Sequence, residues 1–451
     1  MSDHVDRRDF LKRASSVGAG IALAGRAMSA KAVNKMNPSR VLGANDRINV
    51  GLIGCGGRGT YVSKAFAKYA ADNNNTCQIF AVCDVYEKRK RLNAENHNVK
   101  GYSDYREVLE LPNLDAVIVA TPDHWHATIA LAALDKSKDV YLEKPMCHTN
   151  EEAKKLIDTV RETKRIVQVG SQTTSADQWW KAKKAIADGM IGKMIMSQGS
   201  YHRNSIEGEW NWPIDEGAGP DGTGDNHIDW KTWLGPAPKR PFDADRFFRF
   251  RKYWDYSGGI ATDLFFHVMA PLNICWDKPQ YPTRVVASGG IYAFNDREVP
   301  DTFHMMCEYP EGHSLVLSSS MANSQHIPGL IRGREATLIM VEHGQFERYS
   351  EYLTVKPEKV RDPKTNQHGV FPGYKFGADE IRIPVEKSDM MALHIGNFLS
   401  CMRSREKPHL DVETAAHPQI AINLAVESYR TNKVRYWDEK NWRSSDKPVS
   451  A

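Results

Sequence analysis

Short hydrophobic runs alternate with amphipathic stretches through the first half of the chain. The runs have the length and composition of buried parallel strands, and the predicted strands are 48–53, 78–84, 115–121, 140–145 and 166–169. Between the last two, Thr149 and Glu152 form a capping box that opens an amphipathic helix. This alternation predicts a doubly wound parallel α/β sheet, a Rossmann domain, over residues 47–172.

The hydrophobic pattern changes in residues 173–451, where strands follow one another without helices between them. The candidate strands are 283–290, 302–309, 314–319 and 336–341, and the candidate helices near the C-terminus are 391–404 and 412–431. The Tyr-Pro-Glu-Gly turn at 309–312 separates two strands and predicts an antiparallel hairpin. A second domain of the α+β class is therefore expected.

The N-terminus has the pattern of a targeting segment. The stretch 7–12 reads Arg-Arg-Asp-Phe-Leu-Lys and precedes an apolar run over 14–25. A run of about twelve residues is too short to span a bilayer and is typical of a signal sequence. Residues 1–32 resemble a twin-arginine signal, followed by a polar linker over 33–46. The resemblance implies folded export to the periplasm by the twin-arginine machinery, with a membrane anchor if the signal stays uncleaved.

Composition and charge exclude several other classes of protein. A chain of 451 residues forms about two or three domains. The formal net charge of +4, without a long basic block, argues against nucleic-acid binding. The seven scattered cysteines contain no C-x-x-C pair, which argues against a disulfide framework and a structural zinc site. His227 and Asp229 share a loop but lack a third ligand, so no metal is predicted.

A glycine-rich turn follows the first predicted strand. Its sequence over 54–59 is Gly-Cys-Gly-Gly-Arg-Gly, with Gly54, Gly56 and Gly59 in the G-x-G-x-x-G spacing. These glycines allow the tight turn, the approach of backbone to a pyrophosphate and close packing of the next helix on the strand. The predicted cofactor-binding residues here are Gly54, Gly56, Gly57, Arg58 and Gly59. A dinucleotide site is therefore expected at this turn.

An acidic residue, Asp84, ends the second predicted strand. A carboxylate there can accept hydrogen bonds from the ribose hydroxyls and repels a 2′-phosphate, which favours NAD over NADP. The basic residues 88–91 follow closely, and one of them could hold a phosphate. NAD is the predicted cofactor, with NADP left open.

The ends of the later strands supply further candidates, because ligands bind beyond the carboxyl ends of strands in an open parallel sheet. The residues expected at this edge are Thr121, Pro122, His124, His126, Glu143, Lys144 and Gln172. Lys144 lies directly after an apolar strand and before Pro145. Such a lysine points into the crevice, where it can transfer a proton or stabilise an alkoxide.

A second chemical constellation lies in the second half of the chain. Two glycines, Gly258 and Gly259, precede a helical stretch with Asp263 and His267 at positions i and i+4, on one helix face. Histidine can accept a hydroxyl proton as hydride leaves, and a carboxylate one turn away can orient it or bind a substrate hydroxyl. Because such pairs are also common surface contacts, the prediction depends on the nucleotide site and Lys144.

These motifs together resemble the glucose-fructose oxidoreductase, inositol dehydrogenase and rhizopine-catabolism family (Gfo/Idh/MocA). The matching motifs are Gly-Cys-Gly-Gly-Arg-Gly at 54–59, Asp84, Thr-Pro-Asp-His-Trp-His at 121–126, Glu-Lys-Pro at 143–145 and Asp-x-x-x-His at 263–267. The resemblance implies a C-terminal domain with an open, mostly antiparallel sheet whose exposed face forms a dimer or tetramer interface. It also implies that Lys144 and His267 handle protons, that Asp263 binds substrate and that His126 lies near the nicotinamide. Family substrates are mostly sugars, cyclitols and their derivatives.

Tryptophans are concentrated in the middle of the chain. Eight of the eleven tryptophans lie between Trp179 and Trp276, and aromatic faces can stack on a sugar ring, although filling the core is an equally good explanation. The candidates chosen for contact with the substrate are Trp210, Trp212, Trp254, Tyr201 and His202, beside Lys144, Asp263 and His267.

Three functions remain open from the sequence. The first is an NAD(P)-dependent oxidoreductase for a sugar or cyclitol, with a tightly bound cofactor because the periplasm offers no diffusible pool. The second is a redox-neutral glycosidase that oxidises the sugar transiently and eliminates the leaving group; Tyr201 and His202 are adjacent where exported glycosidases of this family have them spaced, so it is the alternative. A sugar-binding protein with a vestigial cofactor site is disfavoured by the intact glycine turn, Lys144 and His267.

Overall fold

The structure is a computed structural model and describes Gly43, residues 46–276 and residues 278–449. The predicted signal over 1–32 and all of the predicted linker over 33–46 except Gly43 and Asp46 lie outside these residues. Within the described residues, no helix combines the length and apolarity needed to cross a membrane.

The first half of the described chain forms a parallel sheet covered by helices, as predicted. Its strands are β1 (Ile48–Ile53), β2 (Cys77–Cys83), β3 (Gly101–Tyr102), β4 (Ala116–Val119), β5 (Asp139–Glu143) and β6 (Val167–Gly170), in the order β3-β2-β1-β4-β5-β6. Its helices are α1 (Gly57–Asp72), α2 (Glu87–His97), α3 (Tyr105–Leu109), α4 (Asp123–Asp135) and α5 (Asn150–Thr163). Every residue of β1, β4, β5 and β6 is buried because helices pack on both faces.

Two helix starts in this half show how local sequence sets the boundaries. The capping box that opens α5 is present, with both the Thr149 side chain and the Glu152 side chain bonded to backbone N–H groups. Helix α4 begins at Asp123, within the Thr-Pro-Asp-His-Trp-His motif at 121–126. Pro122 occupies the N-cap position and Asp123 supplies a negative charge to the first turn, so the helix starts inside the motif.

The second half forms a large mixed sheet with helices on one face. Its strands are β7 (Met194–Ser200), β8 (Arg284–Gly290), β9 (Thr302–Glu308), β10 (Ser314–Ser320), β11 (Gly329–Gly333), β12 (Ala336–Val341), β13 (Tyr352–Pro357), β16 (Ile381–Pro384), β17 (Arg435–Asp438) and β18 (Arg443–Ser445), with β14 (Lys359–Arg361) and β15 (His368–Val370) as a separate hairpin. The order is β16-β13-β12-β11-β7-β10-β9-β8-β17-β18, and among the described strands of this sheet only β7 and β10 pair in parallel. The helices are α6 (Asp177–Ala187), α7 (Trp230–Leu234), α8 (Ala244–Phe248), α9 (Ile260–Asp263), α10 (Phe265–Cys275), α11 (Met390–Ser404) and α12 (Val412–Thr431). The predicted hairpin at 309–312 is confirmed by the antiparallel register of β9 and β10.

The segment 203–258 folds back over the Rossmann sheet edge, beside the residues that follow Asp84. The backbone N–H of Glu87 donates to the His227 carbonyl at 3.1 Å, and that of Asp229 donates to the Val85 carbonyl at 2.9 Å. An aromatic cluster forms under this connection and includes Tyr86, Trp230, Trp233, Phe247, Phe248 and Tyr256. The second half of the chain therefore supplies one wall of the crevice at the edge of the Rossmann sheet.

Candidate active site

A cavity of about 640 Å³ lies between the carboxyl edge of the Rossmann sheet and helices α9 and α10. Residues from both halves of the chain line it. The predicted site residues that the structure brings to its lining are Gly54, Gly56, Gly57, Arg58, Asp84, Thr121, Pro122, His126, Glu143, Lys144, Asp263 and His267.

The glycine turn leaves room for a phosphate group. Gly54 has φ +94°, and a Cβ there would lie 2.6 Å from the Ala120 carbonyl. A Cβ at Gly59 would lie 1.8 Å from the Gly54 oxygen, so this glycine lets α1 approach the strand. A Cβ added at Gly57 would meet no atom within 4 Å, and no side chain caps the helix at its N-cap residue, Gly56. The N–H groups of the first turn of α1 are thus available for an anion, and a dinucleotide pyrophosphate fits this cradle.

Asp84 is fixed at the end of β2. Its Oδ2 accepts from the Cys55 N–H at 2.7 Å and its Oδ1 from the Tyr86 N–H at 2.8 Å. Burial raises the pKa of Asp84, and the positive charge of Arg89 and these N–H groups oppose that rise. The carboxylate lines the cavity, where it can accept hydrogen bonds from the ribose hydroxyls.

The four basic residues after Asp84 are divided between two environments. Lys88, Lys90 and Arg91 form ion pairs with Asp215, Glu87 and Asp225 respectively. Arg89 alone of the four lines the cavity, with its guanidinium packed 5.2 Å from the Phe247 ring centre. Of these four residues, Arg89 is therefore the one that can face a ligand in the cavity.

The other predicted cofactor-binding residues take supporting positions. Gln172 reaches the site through Arg58, whose Nη2 donates to its Oε1 at 3.0 Å, while Arg58 Nε lies 2.9 Å from Glu143 Oε1. His126 lies with Nδ1 2.6 Å from the Pro145 carbonyl and Nε2 2.8 Å from the Thr121 carbonyl, which ties two strand ends together.

His124 differs from these residues because it does not line the cavity. Its Nε2 lies 3.0 Å from the Trp233 carbonyl, and burial lowers its pKa to about 3. It joins α4 to the segment 203–258 instead.

Lys144 and Asp263 meet in the cavity although they are far apart in sequence. Lys144 Nζ donates to Asp263 Oδ1 at 2.7 Å and to its backbone carbonyl at 2.6 Å. Arg251 Nε donates to the same Oδ1 at 2.9 Å. Burial alone would raise the pKa of Asp263, but the charges of Lys144, Arg251 and Arg203 hold it well below its usual value. Asp263 is therefore an ionised acceptor shared by two cations.

His267 completes the group on the first turn of α10. The helix is interrupted at Leu264 between α9 and α10, yet Asp263 and His267 both line the cavity. Burial and the nearby charge of Lys144 lower the pKa of His267 to about 3, so its ring is neutral near pH 7. Its Nδ1 lies 3.2 Å from Oε1 of Glu347, a residue in the loop after β12 that no sequence motif identified.

The predicted substrate residues are only partly brought together. Trp210 and Trp212 line the cavity. Tyr201 does not line it but contacts it through a hydrogen bond from its hydroxyl to Glu347. His202 packs against His326, because successive residues after β7 face opposite sides, and Trp254 packs against Tyr429. Neither His202 nor Trp254 is part of the cavity lining.

The loop with His227 and Asp229 has a structural role. Asp229 caps α7 through the Thr232 N–H at 3.0 Å, and His227 Nδ1 lies 3.1 Å from the Pro220 carbonyl. Among the described residues, no group of three or more His, Cys, Asp or Glu side chains is placed to hold a metal ion.

A phosphate cradle, a ribose-facing carboxylate and a Lys–Asp–His group in one cavity define a dinucleotide-binding protein equipped for proton transfer. Residues 48–171 match the profile described as oxidoreductase family, NAD-binding Rossmann fold, and residues 177–340 match that of the C-terminal alpha/beta domain of the same family. The two matches together cover more than half of the chain. The protein belongs to the Gfo/Idh/MocA oxidoreductase family, and its first half is the NAD-binding Rossmann domain.

Curated relatives include enzymes of two kinds. A levoglucosan dehydrogenase from Pseudarthrobacter phenanthrenivorans is 32% identical over 162 residues, which are 34% of this chain and 40% of the relative. A glycosyl hydrolase family 109 protein from Saccharopolyspora erythraea is 28% identical over 218 residues, 44% of this chain and 46% of the relative. Each match thus spans less than half of the relative's length.

Solved structures share the whole architecture. A levoglucosan dehydrogenase in complex with NADH and levoglucosan superposes with a TM-score of 0.62 at 18% identity, covering 86% of this chain and 99% of that chain. At this identity the similarity establishes the fold. The fold over most of this chain is therefore shared with that protein.

Proposed function

We propose that this protein is an NAD-dependent oxidoreductase that transfers hydride between a hydroxyl-bearing carbon of a sugar or cyclitol and a tightly held nicotinamide cofactor. The observation that carries the proposal is the convergence of Lys144, Asp263 and His267 in the cavity that also contains the glycine turn and Asp84. The levoglucosan dehydrogenase relative supports a carbohydrate substrate.

The residues around the cavity have different roles in the proposed reaction. A bound nicotinamide supplies the hydride acceptor. Neutral His267 can take the hydroxyl proton, while the charge of Lys144 stabilises the oxygen from which that proton leaves. Asp263 is ionised and hydrogen-bonded to Lys144, which fixes the ammonium group in place. Trp210 and Trp212 can cover the apolar face of a sugar ring and exclude water.

The contacts around the adenosine end support tight retention of the cofactor. Tyr86 Oη donates to Asp215 Oδ2 at 2.7 Å, and Arg91 Nη2 lies 2.7 Å from Asp225 Oδ2, so the segment 203–258 is held over the edge beyond Asp84. Trp233, Phe247 and Phe248 line this part of the cavity. Release of a dinucleotide would require these contacts to open.

The proposal is tested by turnover with a panel of aldoses, anhydrosugars and cyclitols, with NADH formation as the measurement. We expect one or more of them to reduce NAD, and the variants Lys144→Ala and His267→Ala to bind NAD but to lose turnover. Wild-type protein that binds NAD and reduces it with no member of the panel would contradict the proposed reaction.

The redox-neutral glycosidase is the second candidate, favoured by the glycosyl hydrolase family 109 relatives. It predicts release of the leaving group from nitrophenyl glycosides without net accumulation of NADH. Steady NADH accumulation with a free sugar argues for the oxidoreductase instead.

Export is proposed from the sequence of residues 1–32. The paired Arg7 and Arg8 before the apolar run support a twin-arginine route to the periplasm. In the native host, the double variant Arg7→Lys, Arg8→Lys should accumulate in the cytoplasm. Equal periplasmic amounts of the wild type and the variant would argue against this route.

A homo-oligomer formed through the second sheet is also proposed. Paired strands place a row of partly exposed apolar side chains across the sheet face away from the helices: Val286, Met306, Val316, Leu330 and Ile339. Gln198 of β7 interrupts this row between Val316 and Leu330, and the apolar side chains on either side of it suit contact with a second copy. Light scattering of the wild type and of Met306→Lys tests it, and an unchanged monomeric mass for both would contradict it.

A further inference from the structure

Glu347 lies beside His267 in the lining of the cavity. It belongs to the loop after β12, so the second sheet rather than the motif helix delivers it to the site. His267 Nδ1 is buried and makes no well-formed hydrogen bond within the described chain, with Glu347 Oε1 facing it at 3.2 Å; the two side chains are 9% and 33% exposed. We propose that Glu347 is a positioning residue that fixes the tautomer of His267, with the proton on Nδ1 and the lone pair of Nε2 available to the substrate. This inference rests on the proposed oxidoreductase function.

Glu347 is itself held from its other oxygen. Tyr201 Oη donates to Glu347 Oε2, and Arg203 Nη2 donates to Tyr201 Oη at 3.1 Å. Arg203 Nη1 in turn donates to Glu209 Oε2 at 3.1 Å. This chain of hydrogen bonds gives the carboxylate a defined orientation toward His267.

The ionisation of Glu347 determines which ring nitrogen carries the proton. Burial would raise the pKa of Glu347, but His267, the Tyr201 hydroxyl and the charge of Lys144 lower it, so the group is a carboxylate at neutral pH. A carboxylate only accepts hydrogen bonds. A carboxylate 3.2 Å from Nδ1 therefore favours the neutral tautomer with its N–H on Nδ1, which leaves the lone pair on Nε2.

The remaining charges around His267 oppose one another. Lys144 and Arg58 lower its pKa, whereas Glu347 and Asp263 raise it, and burial is the largest influence. Removal of the Glu347 charge therefore makes His267 a weaker base. It also removes the acceptor that keeps the ring proton on Nδ1.

The test compares wild type with Glu347→Gln, Glu347→Asp and the control Glu298→Gln. Glu298 is also partly exposed and ion-paired, with Arg246 at 2.6 Å, but does not line the cavity. We expect Glu347→Gln to lower kcat about 10- to 100-fold with little change in KM. The acid limb of its pH profile of kcat/KM should also move to lower pH. Glu347→Asp should recover part of the rate, and Glu298→Gln should keep both the rate and the pH profile.

A second readout does not depend on turnover. Nitrogen-15 NMR of histidine-labelled protein, with His267 assigned by its absence in His267→Gln, should show an Nδ1–H tautomer in wild type and a mixture in Glu347→Gln. An Nε2–H tautomer in wild type, or the same tautomer in both proteins, would overturn the proposal. A rise in KM alone would also overturn it, because Glu347 would then be a substrate contact. Absence of turnover in wild type would refute the proposed function, while the NMR result would still decide the tautomer.

Discussion

Replacement of Lys144 by methionine removes the buried ammonium group and keeps most of the side-chain volume. In the folded protein Nζ makes two hydrogen bonds to Asp263, at 2.6 and 2.7 Å, and the side chain is 8% exposed. Asp263 would keep the Arg251 Nε contact at 2.9 Å, so its carboxylate would not be left without a cation.

The structure allows the two consequences of this change to be separated. Loss of a charge-assisted hydrogen bond should lower the free energy of unfolding by about 1.5–3 kcal/mol, less than the 3–5 kcal/mol expected for a buried charge with no partner. Loss of the group that stabilises the substrate oxygen should lower kcat by about 10²- to 10⁴-fold. Because Lys144 lowers the pKa of His267, the acid limb of kcat/KM should also move to higher pH.

Lys252→Met is the matched control. Lys252 is a second buried lysine, 2.9 Å from Asp245 and 3.1 Å from Asp296, but it does not line the cavity. Urea unfolding and steady-state kinetics on NAD-loaded protein should show loss of stability in both variants and loss of kcat in Lys144→Met alone. Equal kcat losses in both variants would refute a chemical role for Lys144 and assign it to stability.

Two further predictions concern the cofactor. Asp84→Asn should raise the affinity for NADP relative to NAD, because the negative charge that faces the ribose is lost; titration by fluorescence quenching measures the ratio, and an unchanged ratio would remove Asp84 from the ribose site. Tyr86→Phe breaks the hydrogen bond to Asp215, worth about 1 kcal/mol, and should speed dissociation of the dinucleotide roughly fivefold. The exposed Tyr292→Phe is its control, and equal dissociation rates in the two variants would show that the segment 203–258 does not retain the cofactor.

The sequence predicted the parts of the site that follow from local rules. Lys144 was identified because it ends a buried strand, and Asp263 and His267 because they are spaced by one helical turn. The 2.7 Å contact between Lys144 Nζ and Asp263 Oδ1 could not be predicted from local sequence, since 119 positions separate the two residues. The shared sheet edge and the family resemblance supplied that expectation.

The site residues that the sequence did not predict reach the cavity through tertiary packing. Glu347 and Arg251 reach the cavity from a loop and a short turn, neither of which carries a motif. Aromatic composition alone suggested Trp254 for the substrate site, but this residue packs on Tyr429 of α12 instead. Composition marks a region rich in aromatic residues, and only the packing decides which rings face the cavity.

In the proposed reaction, hydride passes within this cavity from a carbohydrate carbon to a cofactor that stays bound. The most direct measurement uses protein purified without added nucleotide, incubated with fully carbon-deuterated glucose, galactose or myo-inositol, then denatured for mass spectrometry of the released nucleotide. We predict close to one equivalent of NAD(H) per chain, with deuterium on the nicotinamide of the reduced fraction in wild type and none in His267→Ala. Bound nucleotide that never acquires deuterium from these substrates or from levoglucosan deuterated in the same way, or protein that carries no nucleotide, would contradict the account.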